Sequence, residues 1–181
     1  NNTYLLYNKG WEGINIDADI KSINLFNQFR KNDVNVNKIV SNNENIKKFY
    51  FYHERSAINT LNKDLVDSRI TKPEKTIEEK STTLNKIIEN SRFKNSKINL
   101  LSIDVENHEF ESLQNFNFLK YKIDVMVVEC VDLKLKKLEM YNQSLDFITK
   151  SNVYKLLLDN DYKLINWVHS DLVFVRNDFK V

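Results

Sequence analysis

Residues 97–110 read KINLLSIDVENHEF, and the way this stretch folds decides how the rest of the chain is arranged. It opens as an apolar run, Ile98, Leu100, Leu101, Ile103 and Val105, and then delivers Asp104, Glu106, His108 and Glu109 within a few residues. In a parallel sheet covered on both faces, strands read as near-continuous hydrophobic runs, and ligands bind in the crevice outside their carboxyl ends. The acids fall at that end. The alternative is a buried strand followed by a solvated, acid-rich first helical turn, because Asp and Glu favour helix N-termini through the dipole.

Two other stretches repeat the pattern. Residues 123–130, IDVMVVEC, form a second apolar strand that ends in Glu129, and residues 11–18, WEGINIDA, a shorter one with Ile14 and Ile16 on one face, closing on Asp17 and Asp19. Three acids, Asp17, Asp104 and Glu129, therefore sit where three strands should end. Between the strands the apolar spacing is helical: Ile23, Phe26 and, with Leu25, Phe29 in 20–30; Leu84, Ile87 and Ile88 in 81–90; Phe110 and Leu113 in 108–115; Phe147, Ile148, Tyr154, Leu157 and Leu158 in 145–159. Asp19 and Ser81 are the expected N-caps. Tyr4 to Lys9 is a short amphipathic piece stopped by Gly10.

Asn32–Asn37 reads as a turn, Lys38–Ser41 and the aromatic Phe49–His53 as short strands, and Leu133–Lys137 as a charged connector. Glu54–Lys80 is polar, holds the sole proline, Pro73, and reads as a loop or lid. Tyr162–Val168 and Leu172–Arg176, joined by three residues, form an antiparallel pair. Strands alternating with helices before a terminal hairpin give an α/β sheet, mostly parallel except at one edge.

The length of 181 residues suits a single domain spanning residues 1–181. A net charge of +2, with both signs interleaved and no basic stripe, argues against nucleic acid as a partner. No apolar run approaches the length of a membrane span. The lone Cys130 excludes an internal disulfide and a Cys-rich zinc site and fits a reducing compartment, so a cytoplasmic location is expected. After an apolar run, Cys130 reads as an inert core residue, and Trp11 and Trp167 as packing. In nucleoside-binding α/β folds the acid ending the second strand takes the ribose hydroxyls, a role that suits Asp17, with Asp19 the competitor.

The segments at 2–19 (NTYLLYNKGWEGINIDAD), 83–88 (TLNKII), 100–113 (LLSIDVENHEFESL), 123–130 and 156–178 resemble, in order and spacing, the FkbM-type methyltransferases. These are S-adenosylmethionine-dependent O-methyltransferases of the Rossmann-like class. The resemblance implies methyl transfer to a hydroxyl acceptor, a small molecule or a sugar, glycan or glycolipid precursor. It implies cofactor contacts at Asp17, Ala18, Ser41, Ser56 and Asp104. Asp104 is the first candidate for the base that removes the hydroxyl proton, since its strand end faces the methyl group. Glu106 shares its face if the strand continues, Glu129 joins from the next strand, and His108 and His53 are alternatives. Asp104, Glu106 and Glu129 could instead hold Mg2+ or Mn2+, hard cations that take oxygen ligands.

Two departures from the family pattern stand out. The glycine after the second acid is Asn107, one of the few residues that enter left-handed backbone at modest cost. The family's first strand and its Gly-containing loop would precede Asn1, so the sheet is expected to lack them in this chain. A non-catalytic binding or assembly module on the same sheet is the alternative function.

Overall fold

The computed structural model describes residues 3–132 and 144–180, so the connector expected at 133–137 lies outside the described residues. In chain order, α1 (Tyr4–Asn8) is followed by β1 (Ile14–Asp17), α2 (Ile20–Phe29) and β2 (Val34–Asn37). Next come β3 (Ile46–Phe51), α3 (Lys63–Ser68), β4 (Lys75–Lys80), α4 (Leu84–Glu89) and β5 (Leu100–Ile103). The remainder is α5 (Glu109–Leu113), α6 (Phe118–Tyr121), β6 (Val125–Glu129), α7 (Leu145–Lys150), α8 (Asn152–Asp159), β7 (Tyr162–Val168) and β8 (Asp171–Arg176).

The caps explain several boundaries. Asp19 begins α2 by accepting from Lys21 N at 2.9 Å, as the sequence predicts. For α4 the cap is Thr83, not Ser81, whose hydroxyl is turned instead onto the carbonyls of Asn43 and Asn45. The long helix expected over 145–159 is two, because Ser151 leaves helical backbone (ψ 148°) and caps α8 through Tyr154 N. The Asn32–Asn37 turn is the strand β2, and Lys38–Ser41 makes only a bridge from Val40 to Thr82. The Glu54–Lys80 loop contains α3 and β4. The alternation Thr76, Glu78, Lys80 against Ile77, Glu79 carries little apolar signal, so only pairing with β3 reveals the strand.

β1 and β2 pair in parallel, as do β5 and β6. β3 and β4 form a separate antiparallel ladder, and β8 runs antiparallel to both β6 and β7, which gives the order β5-β6-β8-β7. The expected terminal hairpin is present. The expected single, mostly parallel sheet is not: the sheets are small and mixed, because β1 and β5 are not paired with each other and the chain between them spends its extended residues on the β3–β4 ladder. Val34 N donates to Gly13 O and Val125 N to Asn99 O, so the main-chain groups of Ile14 and Ile16 on β1, and of Leu100 on β5, face away from their partners. Between those two strands lies a groove of about 470 Å³, walled by Leu6, Tyr7, Ile14, Ile16, Leu84, Ile88 and Leu100.

The main core lies under the four-stranded sheet. Met126, Val128, Leu172 and Phe174 alternate inward along β6 and β8, and Leu113, Ile148 and Leu157 from α5, α7 and α8 complete it, all fully buried. Cys130 is buried there and its thiol is pushed up to about 11 by that burial, an inert core position as expected. At the opposite end of β1 a polar knot ties the sheet together. Asp33 accepts from Gly13 N and Asn15 Nδ2, each at 2.8 Å, while Arg30 donates to Thr3 Oγ1 and Asn15 Oδ1 and lies 3.7 Å from Asp33. Among the described residues no helix is long and apolar enough to cross a membrane.

Candidate active site

The strands deliver acids to one end of the molecule. β1 ends on Asp17, β5 is followed by Asp104, β6 ends on Glu129, and Asp171 opens β8 directly opposite Glu129. Carboxylate oxygens of Asp104, Glu109 and Glu129 lie within 4.8 Å of one another. Glu109, the first residue of α5 and only 5% exposed, reaches back so that its Oε1 accepts from Val105 N at 2.8 Å. Asp104 does not cap this helix; the N-cap position is His108, without a side-chain hydrogen bond.

Desolvation disfavours ionisation in this cluster, in which Glu109 is buried, Glu129 half-buried and Asp104 exposed. Glu129 is pushed up to about 8, first by desolvation and then by the charges of Asp104, Glu106 and Glu109. Glu109 rises to about 7, again mainly through burial. Asp104 is raised by desolvation and by Asp171, and lowered by its hydrogen bond with Glu129. Carboxyls this close titrate as a pair. Such an arrangement can take up or release a proton.

Glu106 is placed differently from expectation. β5 stops at Ile103, and Glu106 and Asn107 both take left-handed backbone, with φ of 55° and 66°. The alternation that would align Glu106 with Asp104 is broken there. Glu106 instead pairs with Arg69 at 2.7 Å, and it is Glu109 that joins Asp104 and Glu129. Of the expected metal set Asp104, Glu106 and Glu129, the compact group keeps two and replaces the third.

His108 is buried, its Nε2 lying 3.0 Å from Ser41 Oγ, and desolvation holds its pKa below the ordinary histidine value. Ser41 is fully buried against that imidazole and does not line the groove. Ser56 sits in the loop after His53, its hydroxyl accepting from Ile58 N at 3.3 Å. His53 is exposed, with Nδ1 3.2 Å from Glu54 O. Ala18 packs on Ile39, Phe49 and Phe51, and its carbonyl accepts from Asn37 Nδ2 at 2.9 Å. Asp17 lies in the groove with Oδ1 held by Asp19 N at 2.7 Å, and desolvation raises its pKa. Asp19 accepts twice over, from Lys21 N and from Arg55 N at 2.5 Å, whereas Asp17 lines the groove.

A family model for the methyltransferase FkbM domain matches residues 1–163. The chain belongs to the FkbM methyltransferase family. Its chemistry is therefore methyl transfer, and the strand-end acids are acids of a methyltransferase domain. No curated protein and no solved structure matches the chain. Glu109, one of the acids of the opening stretch, has no site role in the sequence reading, and Arg69 lies in a stretch that reads as a polar loop, where nothing in its neighbours points to Glu106.

Proposed function

We propose that the protein is an S-adenosylmethionine-dependent O-methyltransferase whose acceptor is a hydroxyl of a sugar, glycan or glycolipid precursor, working in the cytoplasm. The observation that carries this reading is the Asp104–Glu129 pair, whose carboxylate oxygens lie within 4.8 Å of each other at the ends of two parallel strands beside the groove. The residues present fit the cofactor: Asp17, Asp104 and Asp171 line one end of the groove, an acidic setting for a sulfonium cation. S-adenosylmethionine, when bound, supplies a methyl group for in-line displacement by a hydroxyl oxygen, which must lose its proton.

Asp17 would bind the ribose hydroxyls while Asp19 Nα–H fixes its orientation. Asp104, which lines the groove, takes the acceptor's proton, and Glu129 orients it through their hydrogen bond. A general base contributes about 10² to 10⁴-fold. With Glu109 bonded to Val105 N, the reading assigns the cluster to proton transfer. The reading also takes β1–β2 and β5–β6 as two halves of one Rossmann-like sheet.

The test is a pH profile of single-turnover methyl transfer in the full-length protein. The rate should rise with pH between 3.8, the ordinary aspartate value, and about 8, since desolvation raises Asp104, which must be ionised to accept the proton, while Glu129 beside it keeps its own proton up to about 8. A rate that is flat across this range would remove the carboxylate pair from the base role.

A further inference from the structure

Asn107 occupies the position where the FkbM pattern has glycine, yet both it and Glu106 are left-handed, with φ of 66° and 55°. Left-handed backbone is adopted freely by glycine and at a cost by other residues, the cost being larger for Glu than for Asn. Something must over-determine the turn. The structure shows what does. Thr60, only 1% exposed, donates through Oγ1 to Glu106 O at 2.7 Å. Asn62 donates through Nδ2 to Asn107 O at 3.0 Å while its Oδ1 accepts from Leu65 N and caps α3. Arg69, at the C-cap of the same helix, bonds Glu106 Oε2 at 2.7 Å with one nitrogen and Ile58 O at 2.5 Å with the other, its guanidinium resting over the Tyr52 ring.

All three groups come from residues 60–69, and all three converge on two consecutive left-handed residues that follow β5. A few residues upstream, Arg55 N donates to Asp19, the N-cap of α2. We propose that Thr60, Asn62 and Arg69 are positioning residues: they clamp the Glu106–Asn107 turn in left-handed backbone, replacing the conformational freedom of the absent glycine, and so set the path from Asp104 to Glu109. The consequence for catalysis rests on the methyltransferase reading; the clamp itself does not. A turn released from the clamp swings the backbone between Asp104 and Glu109, and the carboxylates lose their mutual distance.

The discriminating experiment is a rescue. Thr60→Val removes the hydroxyl while keeping the shape, Thr60→Ser keeps the hydroxyl, and Thr60→Val combined with Asn107→Gly returns to the turn the freedom that the clamp replaces. Each is made in the full-length protein. Amide hydrogen exchange at residues 106–109 and methyl transfer from S-adenosylmethionine to a panel of alkyl glycosides are followed together. Thr60→Val should quicken exchange and lower kcat by about tenfold or more, with KM for S-adenosylmethionine little changed, as a misplacement near the chemistry does. Thr60→Ser should resemble the parent, and Asn107→Gly should restore most of the loss in the double variant. A purely structural role for Thr60 would leave the double variant as impaired as Thr60→Val, and that result, or parent-like exchange in Thr60→Val, would overturn the proposal. Exchange rescued by glycine in a protein that methylates none of the glycosides would uphold the clamp and count against the acceptor class alone.

Discussion

At the scale of single residues, the sequence carried the acids and missed their geometry. Asp17, Asp104 and Glu129 could be placed because an apolar run that ends in a carboxylate is legible without any contact information. Glu106 could not, because the backbone turns left-handed two residues after the strand, and period-two alternation stops being valid there. What burial does to these groups is testable on the fold itself. Glu129 and Glu109 start from an ordinary value of 4.5 and are raised to about 8 and about 7, so between those limits the folded protein holds protons that the unfolded chain releases. Stability is then greatest below the unfolded value and is lost as pH rises through the folded ones. Thermal unfolding followed across that range should show a falling midpoint, and Glu129→Gln should flatten the fall. A midpoint that climbs with pH over this range would mean the cluster is ionised in the native state.

At the scale of elements, strongly apolar segments were readable and weakly apolar ones were not. β5, β6 and the terminal hairpin stand out because each buries alternate or continuous hydrophobic residues. β4, with the sequence KTIEEK, and β2, with VNVN, exist through their partners: parallel pairing with β1 for one, antiparallel pairing with β3 for the other. The β1–β2 pair depends further on the knot of Arg30, Asp33 and Asn15, where both charged side chains are almost wholly buried. Removing one member of a buried ion pair strands the other charge, at a cost of about 3 to 5 kcal/mol. Asp33→Ala should therefore destabilise the protein by that order in urea unfolding, far beyond the usual effect of a surface acid. A change of less than about 1 kcal/mol would show that the knot is solvated and that β1 and β2 are held by their ladder alone.

At the scale of the molecule, the α/β content and the hairpin follow from the order of strands and helices, whereas the division into small mixed sheets does not, because which edges pair is decided by contacts far apart in sequence. The groove between β1 and β5 exposes two strand edges, a feature that proteins ordinarily cover. On the reading given above this groove holds S-adenosylmethionine, so Asp17→Ala should weaken cofactor binding in calorimetry, and unchanged affinity would take Asp17 out of the ribose role.

The most direct test of the account is single-turnover methyl transfer by Asp104→Asn in the full-length protein. The substitution keeps the size of the side chain and a hydrogen-bonding partner for Glu129, and removes the proton acceptor that lines the groove. Asp104 caps no helix, so the fold should tolerate the change, with a thermal midpoint close to that of the parent. The account predicts a rate at least about a hundredfold lower with cofactor affinity largely preserved. A rate within about twofold of the parent would contradict it, because a general base is worth more than that.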